Sequence, residues 1–140
     1  MSVLILVVDD EPDMEALVRQ QFRRDVRAGR FALEFAASAA QALSVIEAVR
    51  DQEIILLLSD INMPGMSGLE LLDRVKALRP GLPVIMITAY GDAETRRRAL
   101  AGGADDLLPK PVDFAALRTE IDRRLQEWKG KGRDDDPRGG

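Results

Sequence analysis

The chain contains no cysteine and no histidine in 140 residues. Without cysteine there can be no disulfide, no zinc thiolate and no thiol catalysis. Without histidine it lacks the commonest general base and the usual transition-metal ligand. Any chemistry must therefore use carboxylates, lysine, threonine or tyrosine. A basic excess is also missing: the formal net charge is -4, which argues against a dominant nucleic-acid role, since nothing is available to neutralise a run of phosphates. Long apolar runs are absent too. The first, Val3 to Val8, is far too short to span a bilayer, and no basic segment or cleavage pattern accompanies it. A signal peptide is not expected, no membrane role is expected, and the expected location is the cytoplasm.

What is present is ordinary for a soluble globular domain: 46% hydrophobic and 31% charged residues. The length predicts one domain over residues 1–128, large enough for a real core, with a disordered tail over 129–140, where no apolar residue remains to be buried. The centre of the pattern is Ile54-Ile55-Leu56-Leu57-Leu58-Ser59-Asp60, followed by the loop Ile61-Asn62-Met63-Pro64-Gly65-Met66-Ser67-Gly68. A continuous apolar run of this kind predicts a strand buried on both faces, ending in a carboxylate.

Four further strands are predicted: Val3–Val8, Phe31–Ala36, Val84–Thr88 and a short one from Asp106 to Pro109. Between them lie amphipathic segments. The first helix follows Asp10 or Glu11 and Pro12, carries Met14, Leu17, Val18, Gln21 and Phe22, and ends at Gly29. Its basic end, Arg23 to Arg30, reads as a solvated helix terminus favoured by the macrodipole, with a partner contact as the alternative. Ser38 with Gln41, and Ser67 with Glu70, have capping-box spacing. Asp92 and Asp113 precede the fourth and fifth helices, and Phe114, Leu117, Ile121, Leu125 and Trp128 mark the last apolar face. Strands alternating with helices predict a parallel α/β sheet covered on both faces.

The informative residues stand at strand ends: Asp9-Asp10, Asp60, Thr88 and Lys110. In a doubly wound sheet the carboxyl ends of central strands converge on one crevice. Three carboxylates there would repel one another unless a cation joined them, and hard oxygen donors without nitrogen or sulfur point to Mg²⁺. A lysine and a hydroxyl beside them suit an incoming phosphoryl group, and an aspartate can itself be the nucleophile. Each fragment alone also has a plain structural reading. Asp9-Asp10-Glu11 could be an acidic helix start, Asp60 a loop cap, Thr88 a satisfied strand-end hydroxyl and Lys110-Pro111 a turn.

Together, Val7-Val8-Asp9-Asp10-Glu11, Ser59-Asp60 through Gly68, Ile87-Thr88-Ala89-Tyr90 and Leu108-Pro109-Lys110-Pro111 resemble the receiver domain of two-component response regulators, over about Val3 to Leu125. The resemblance implies a flavodoxin-like, doubly wound five-stranded parallel sheet of order 2-1-3-4-5 with five helices. It implies Asp60 as phosphoacceptor, Asp10 and Asp60 as Mg²⁺ ligands with the Asn62 backbone carbonyl, and Asp9 acting through water. It implies Lys110 as the phosphate-binding lysine, cis-bonded to Pro111, and Thr88 as the switch hydroxyl, with Asn62 and Tyr90 tuning phosphoryl lifetime. The partners it implies are a sensor histidine kinase or phosphotransfer protein, and an output protein met through the fourth helix, fifth strand and fifth helix, where Arg96-Arg97-Arg98 lie. Dimerisation on phosphorylation is a further possibility of that family. With no helix-turn-helix or basic reading segment, output is expected through protein contacts, as in single-domain chemotaxis-type regulators. One departure stands out: Leu107 occupies a position that in the family often carries an aromatic switch residue. The alternative function is a Mg²⁺-dependent phosphohydrolase of the haloacid-dehalogenase type, although that family places an Asp-x-Asp nucleophile motif on the first strand, and here the first strand gives adjacent Asp9-Asp10. Apart from phosphorylating and dephosphorylating itself at Asp60, the domain is not expected to be an enzyme.

Overall fold

The computed structural model describes residues 3–49, 53–89 and 91–134, with side chains at all of these except 53 and 131–134. Five strands, β1 (Val3–Val8), β2 (Ala32–Ala36), β3 (Glu53–Asp60), β4 (Val84–Thr88) and β5 (Asp106–Pro109), form one parallel sheet of order β2-β1-β3-β4-β5. Order and direction agree with the expected doubly wound arrangement. Among the described residues six helices are present rather than five: α1 (Pro12–Gln21), α2 (Arg23–Arg27), α3 (Ala39–Ala48), α4 (Gly68–Leu78), α5 (Ala93–Ala101) and α6 (Phe114–Asp134).

Side chains alternate across the pleat, so each central strand feeds two cores. Leu4, Leu6, Val8 and Leu57 join the core under α3, α4 and α5, while Val3, Ile5, Val7 and Leu58 join the one under α1 and α6. The pairing of β1 with β3 slips between Leu4 and Ile5, so Ile55 and Leu56 are both sent to the α1/α6 side. All six residues of β1 and all five of β4 are buried, as a two-sided sheet requires.

The first helix departs from its pattern. It breaks at Phe22, whose φ of -112° and ψ of 17° are not helical. The break lets Phe22 bury its ring edge-on between Phe31 (5.9 Å) and Phe114 (6.2 Å), a gain in apolar and aromatic contact that continuous helix would forgo. Leu17, expected on the apolar stripe, is instead 45% exposed. The chain then closes at Gly29 (φ 76°), as expected of a left-handed cap. The other starts follow the sequence: Ser38 accepts from Gln41 N, Ser67 and Glu70 complete a capping box, and Asp92 and Asp113 cap α5 and α6. The last helix extends to Asp134, past Trp128 where loss of structure was expected, because adding residues to a formed helix is far easier than starting one. The remainder of the predicted tail, 135–140, lies outside the described residues.

Helix α2 is pinned by a buried charge. Asp25 is 7% exposed and takes hydrogen bonds from Arg30 and from Arg118 of α6 (2.8 Å). Burial alone would raise the Asp25 carboxyl, but the bonds from Arg118 and Arg30 outweigh it and hold it below the usual range. Both arginines keep access to water, which limits the cost of losing their partner. We expect Asp25→Ala to destabilise the fold by about 1–2 kcal/mol in urea titrations near neutral pH. Because the folded carboxyl is depressed, this contribution is complete above the ordinary aspartate value of about 4 and fades as pH falls through the folded value. A difference between wild type and variant that does not shrink on acidification would contradict this.

Candidate functional site

Three loops meet at the carboxyl edge of the sheet because β1, β3 and β5 all end there. Asp9 follows β1 and is fixed twice: its N–H donates to Ala36 O (3.1 Å) and its Oδ1 accepts from Glu11 N (2.8 Å). Asp60 ends β3, 4% exposed, with Oδ1 accepting from Asn62 N (3.2 Å). Lys110 follows β5, tied to β4 by its N–H to Thr88 O (2.9 Å), and its bond to Pro111 is cis. Its ammonium lies 3.0 Å from Asp60, 3.1 Å from Glu11 and 3.5 Å from Asp9.

The loop after Asp60 is held by the backbone. Ile61 N donates to Ile87 O, and Gly68 N donates to Ile61 O (2.8 Å). At Gly68 the backbones pass so closely that a Cβ would lie 2.2 Å from the Asp60 carbonyl oxygen and 2.7 Å from Ile61 Cα. Only glycine fits, and α4 therefore starts directly against the strand end that carries Asp60.

Asp9, Glu11 and Asp60 each offer an oxygen, all within 4.8 Å of one another. Two of these carboxylates are buried, and one lysine accompanies all three, leaving a formal charge of -2 (three carboxylates against one ammonium). Burial raises the Asp9 carboxyl, and the neighbouring Asp60 charge adds to this, despite the Glu11 N–H and Lys110. At Lys110 burial opposes the charged form, yet hydrogen bonds to Asp60 and Glu11 and the charges of Asp60 and Asp9 lift the ammonium well above its ordinary value. A pocket of hard oxygen donors with excess negative charge has the chemistry of a divalent-cation site of the magnesium type.

Of the residues predicted from sequence, Asp9, Asp60 and Lys110 are brought into direct contact. Thr88 is completely buried behind them, and its hydroxyl accepts from the Asn62 side-chain amide (3.4 Å). Asp10 is exposed and lies outside the group of three, lining a shallow hollow with Asp9, Glu11 and Gln41. Tyr90 lies outside the described residues. Glu11 was expected only as a helix start. It serves as that, without a side-chain cap, and also reaches Lys110, a contact 99 residues away that no local spacing reveals. A second feature missed in sequence is an open cleft of about 480 Å³ beside the site, where Thr95 and Arg98 of α5 face Asn62 and Thr88. Leu107 is 5% exposed and sits in the α3/α4/α5 core.

A parallel doubly wound sheet with an acidic, lysine-bridged pocket at its carboxyl edge defines a receiver-type signalling domain. The response regulator receiver domain model matches residues 5–122, and the chain belongs to that family, the switch module of two-component signalling. It is 39% identical over 121 residues to the response regulator protein PilR of Pseudomonas aeruginosa, covering 86% of this chain but only 26% of that protein. A 14.6 kDa protein of the sodA1 3′ region in Leptolyngbya boryana is 42% identical, with 89% of this chain and 88% of that protein covered. Among solved structures, a CheY-like receiver domain protein from Methanospirillum hungatei superimposes with a TM-score of 0.80 at 33% identity, covering 94% of this chain and 99% of the other. The Vibrio cholerae chemotaxis protein CheY4 gives 0.76 at 27% identity, covering 88% and 98%. These findings lend no support to the phosphohydrolase alternative.

Gly68→Ala is expected to displace the β3–α4 loop, lowering the thermal midpoint by roughly 10 °C or more, consistent with a steric cost above about 2 kcal/mol. Retention of wild-type stability would show that the close approach is easily relieved.

Proposed function

We propose that Asp60 accepts a phosphoryl group from a sensor histidine kinase or phosphotransfer protein, and that the resulting acyl phosphate switches a protein-binding surface. The observation that supports this most directly is the placement of Asp60: a buried carboxylate at the end of the central strand, one oxygen held by Asn62 N–H and the other 3.0 Å from Lys110. The transfer is a simple displacement. A carboxylate oxygen of Asp60 forms the new P–O bond as the donor's P–N bond breaks, and the electron pair leaves with the imidazole. Lys110 bonds a phosphoryl oxygen, and the Thr88 hydroxyl turns toward another. That contact exists in one state only, as a switch requires.

Asp10, Asp60 and the Asn62 carbonyl would hold Mg²⁺, with Asp9 bonding through water and Glu11 close enough to join that shell. When bound, the ion supplies positive charge to the phosphoryl oxygens. The three carboxylates brought together, Asp9, Glu11 and Asp60, fit such an ion, since every donor is a hard oxygen and the pocket is negative overall, whereas Asp10 is exposed outside that group and would have to turn inward to join it. Self-phosphorylation and self-dephosphorylation at Asp60 are the only reactions proposed. Asn62, whose amide already meets Thr88, and Tyr90 would tune the lifetime of the phosphoryl group.

With Leu107 already packed in the core, no aromatic ring at that position can flip, so the change at Thr88 would pass through the adjacent cleft to α5. The output surface we favour is the α5, β5 and α6 face, where Arg96 is exposed and Arg97 pairs, among the described residues, with Glu94 of its own helix (2.7 Å). A homodimer formed on phosphorylation could use the same face. A cytoplasmic location suits these partners, and no helix among the described residues is long and apolar enough to cross a membrane.

Incubation with acetyl phosphate and Mg²⁺ should add one phosphoryl group, lost in Asp60→Ala, and beryllofluoride should shift amide resonances of α5. Sustained turnover of organic phosphate esters that survives Asp60→Ala would overturn the receiver chemistry. For the output face, Arg96→Glu should alter partner binding or kinase phosphorylation while leaving acetyl phosphate labelling intact. If neither changes, the face is not used.

A further inference from the structure

The chain is acidic overall, yet residues 19–30 hold five arginines (Arg19, Arg23, Arg24, Arg27, Arg30) and one acid, Asp25, a local charge of +4 against -8 for the remainder. Arg19, Arg23 and Arg27 line a concave pocket of about 290 Å³ whose apolar wall is Val26 and Leu33. Val26 is 38% exposed, and all three arginines are exposed. Arg19 is held by Glu15 (2.9 Å) and stacks on Phe35, 4.4 Å from the ring centroid. Among the described residues, neither Arg23 nor Arg27 forms an ion pair.

The helix that carries two of the pocket's arginines is held in place by side-chain contacts. Asp25, clamped by Arg30 and Arg118, faces inward, and Arg118 also donates to Gln21 O (3.1 Å) and lies 4.9 Å from the Phe22 ring. That clamp fixes the one-turn helix α2, so its basic residues are displayed without further ordering cost. Strand β2 is the edge of the sheet, and among the described residues no further strand covers this side. The pocket lies beside the end of α1, which runs away from Asp9 and Asp60, so an occupant would not obstruct phosphoryl transfer.

We propose that this pocket docks an acidic segment of a partner protein, with one aliphatic side chain seated against Val26 and Leu33 and carboxylates meeting Arg19, Arg23 and Arg27. Charge complementarity selects the occupant, and the concave apolar wall selects a side chain over a flat anionic surface. Helix α6 carries the backbone of Asp134 about 18 Å beyond Asp122, the partner of Arg30. The site would act as a phosphorylation-independent tether, raising the local concentration of a partner whose catalytic or output element meets the other end of the domain.

The test titrates the full chain with an acetylated, amidated nonapeptide of Glu and Asp carrying one central Leu, followed by amide chemical shifts. Expected are saturable shifts centred on Arg19, Arg23, Val26, Arg27 and Leu33, unchanged by Asp60→Ala. The Arg23→Glu/Arg27→Glu variant should weaken binding at least ~10-fold, and replacing the peptide Leu by Ser should weaken it ~5-fold. Because both arginines are exposed, an unchanged thermal midpoint verifies the fold, and Arg23→Gln/Arg27→Gln should weaken binding in the same direction. No saturable shift by about 1 mM peptide would overturn the proposal, as would equal binding by the charge-reversed variant. So would stronger binding of phosphatidylserine vesicles or duplex DNA at the same residues, or peptide binding that appears only after residues 135–140 are removed.

Discussion

The ammonium of Lys110 joins the ends of three strands of the sheet. It sits within 3.5 Å of carboxylates on the β1 loop and on β3, while its own backbone is bonded to β4. Without it, buried Asp9 and Asp60 would face each other uncompensated, an arrangement a protein interior tolerates poorly. One cation against three carboxylates is also insufficient for neutrality. The site therefore retains demand for further positive charge.

Most of the fold could be read from residue patterns. Unbroken apolar runs marked β1, β3 and β4, and Ser67 with Glu70 marked the start of α4, because burial on two faces and capping are both local consequences of composition. The site residues could be read for a different reason: Asp60, Thr88 and Lys110 stand where strands end, and strand ends converge. The break at Phe22 could not be read, since α1 and α2 share one continuous helical pattern and the reason for the break lies in Phe31 and Phe114. Glu11 was hidden similarly. Its neighbours Asp9 and Asp10 have the same chemistry, and only the three-dimensional position of Lys110 separates Glu11 and Asp9, which it touches, from Asp10, which remains outside.

Leu107 is buried in the core under α3, α4 and α5, where a leucine has no polar end to satisfy. An open cleft lies on the same side of the sheet, with Arg98 and Thr95 on one wall and Asn62 and Thr88 on the other. On the other face, Asp25 and its arginines tie α2 to α6, and the larger of the two open volumes described above lies on the side holding α4 and α5.

The division of the core by the sheet carries a mechanical consequence. The helices on the two faces are packed by separate sets of side chains, so a displacement of α5 need not be transmitted to α1 and α2 through any shared apolar contact. The strands act as a partition, and the domain can in effect carry two independent interfaces on one small body. On the readings proposed above, the surface that includes α5 would follow the chemical state of the carboxyl edge, and the pocket beside α2 would be indifferent to it. A protein of this size would then hold a partner continuously on one side while informing it intermittently from the other.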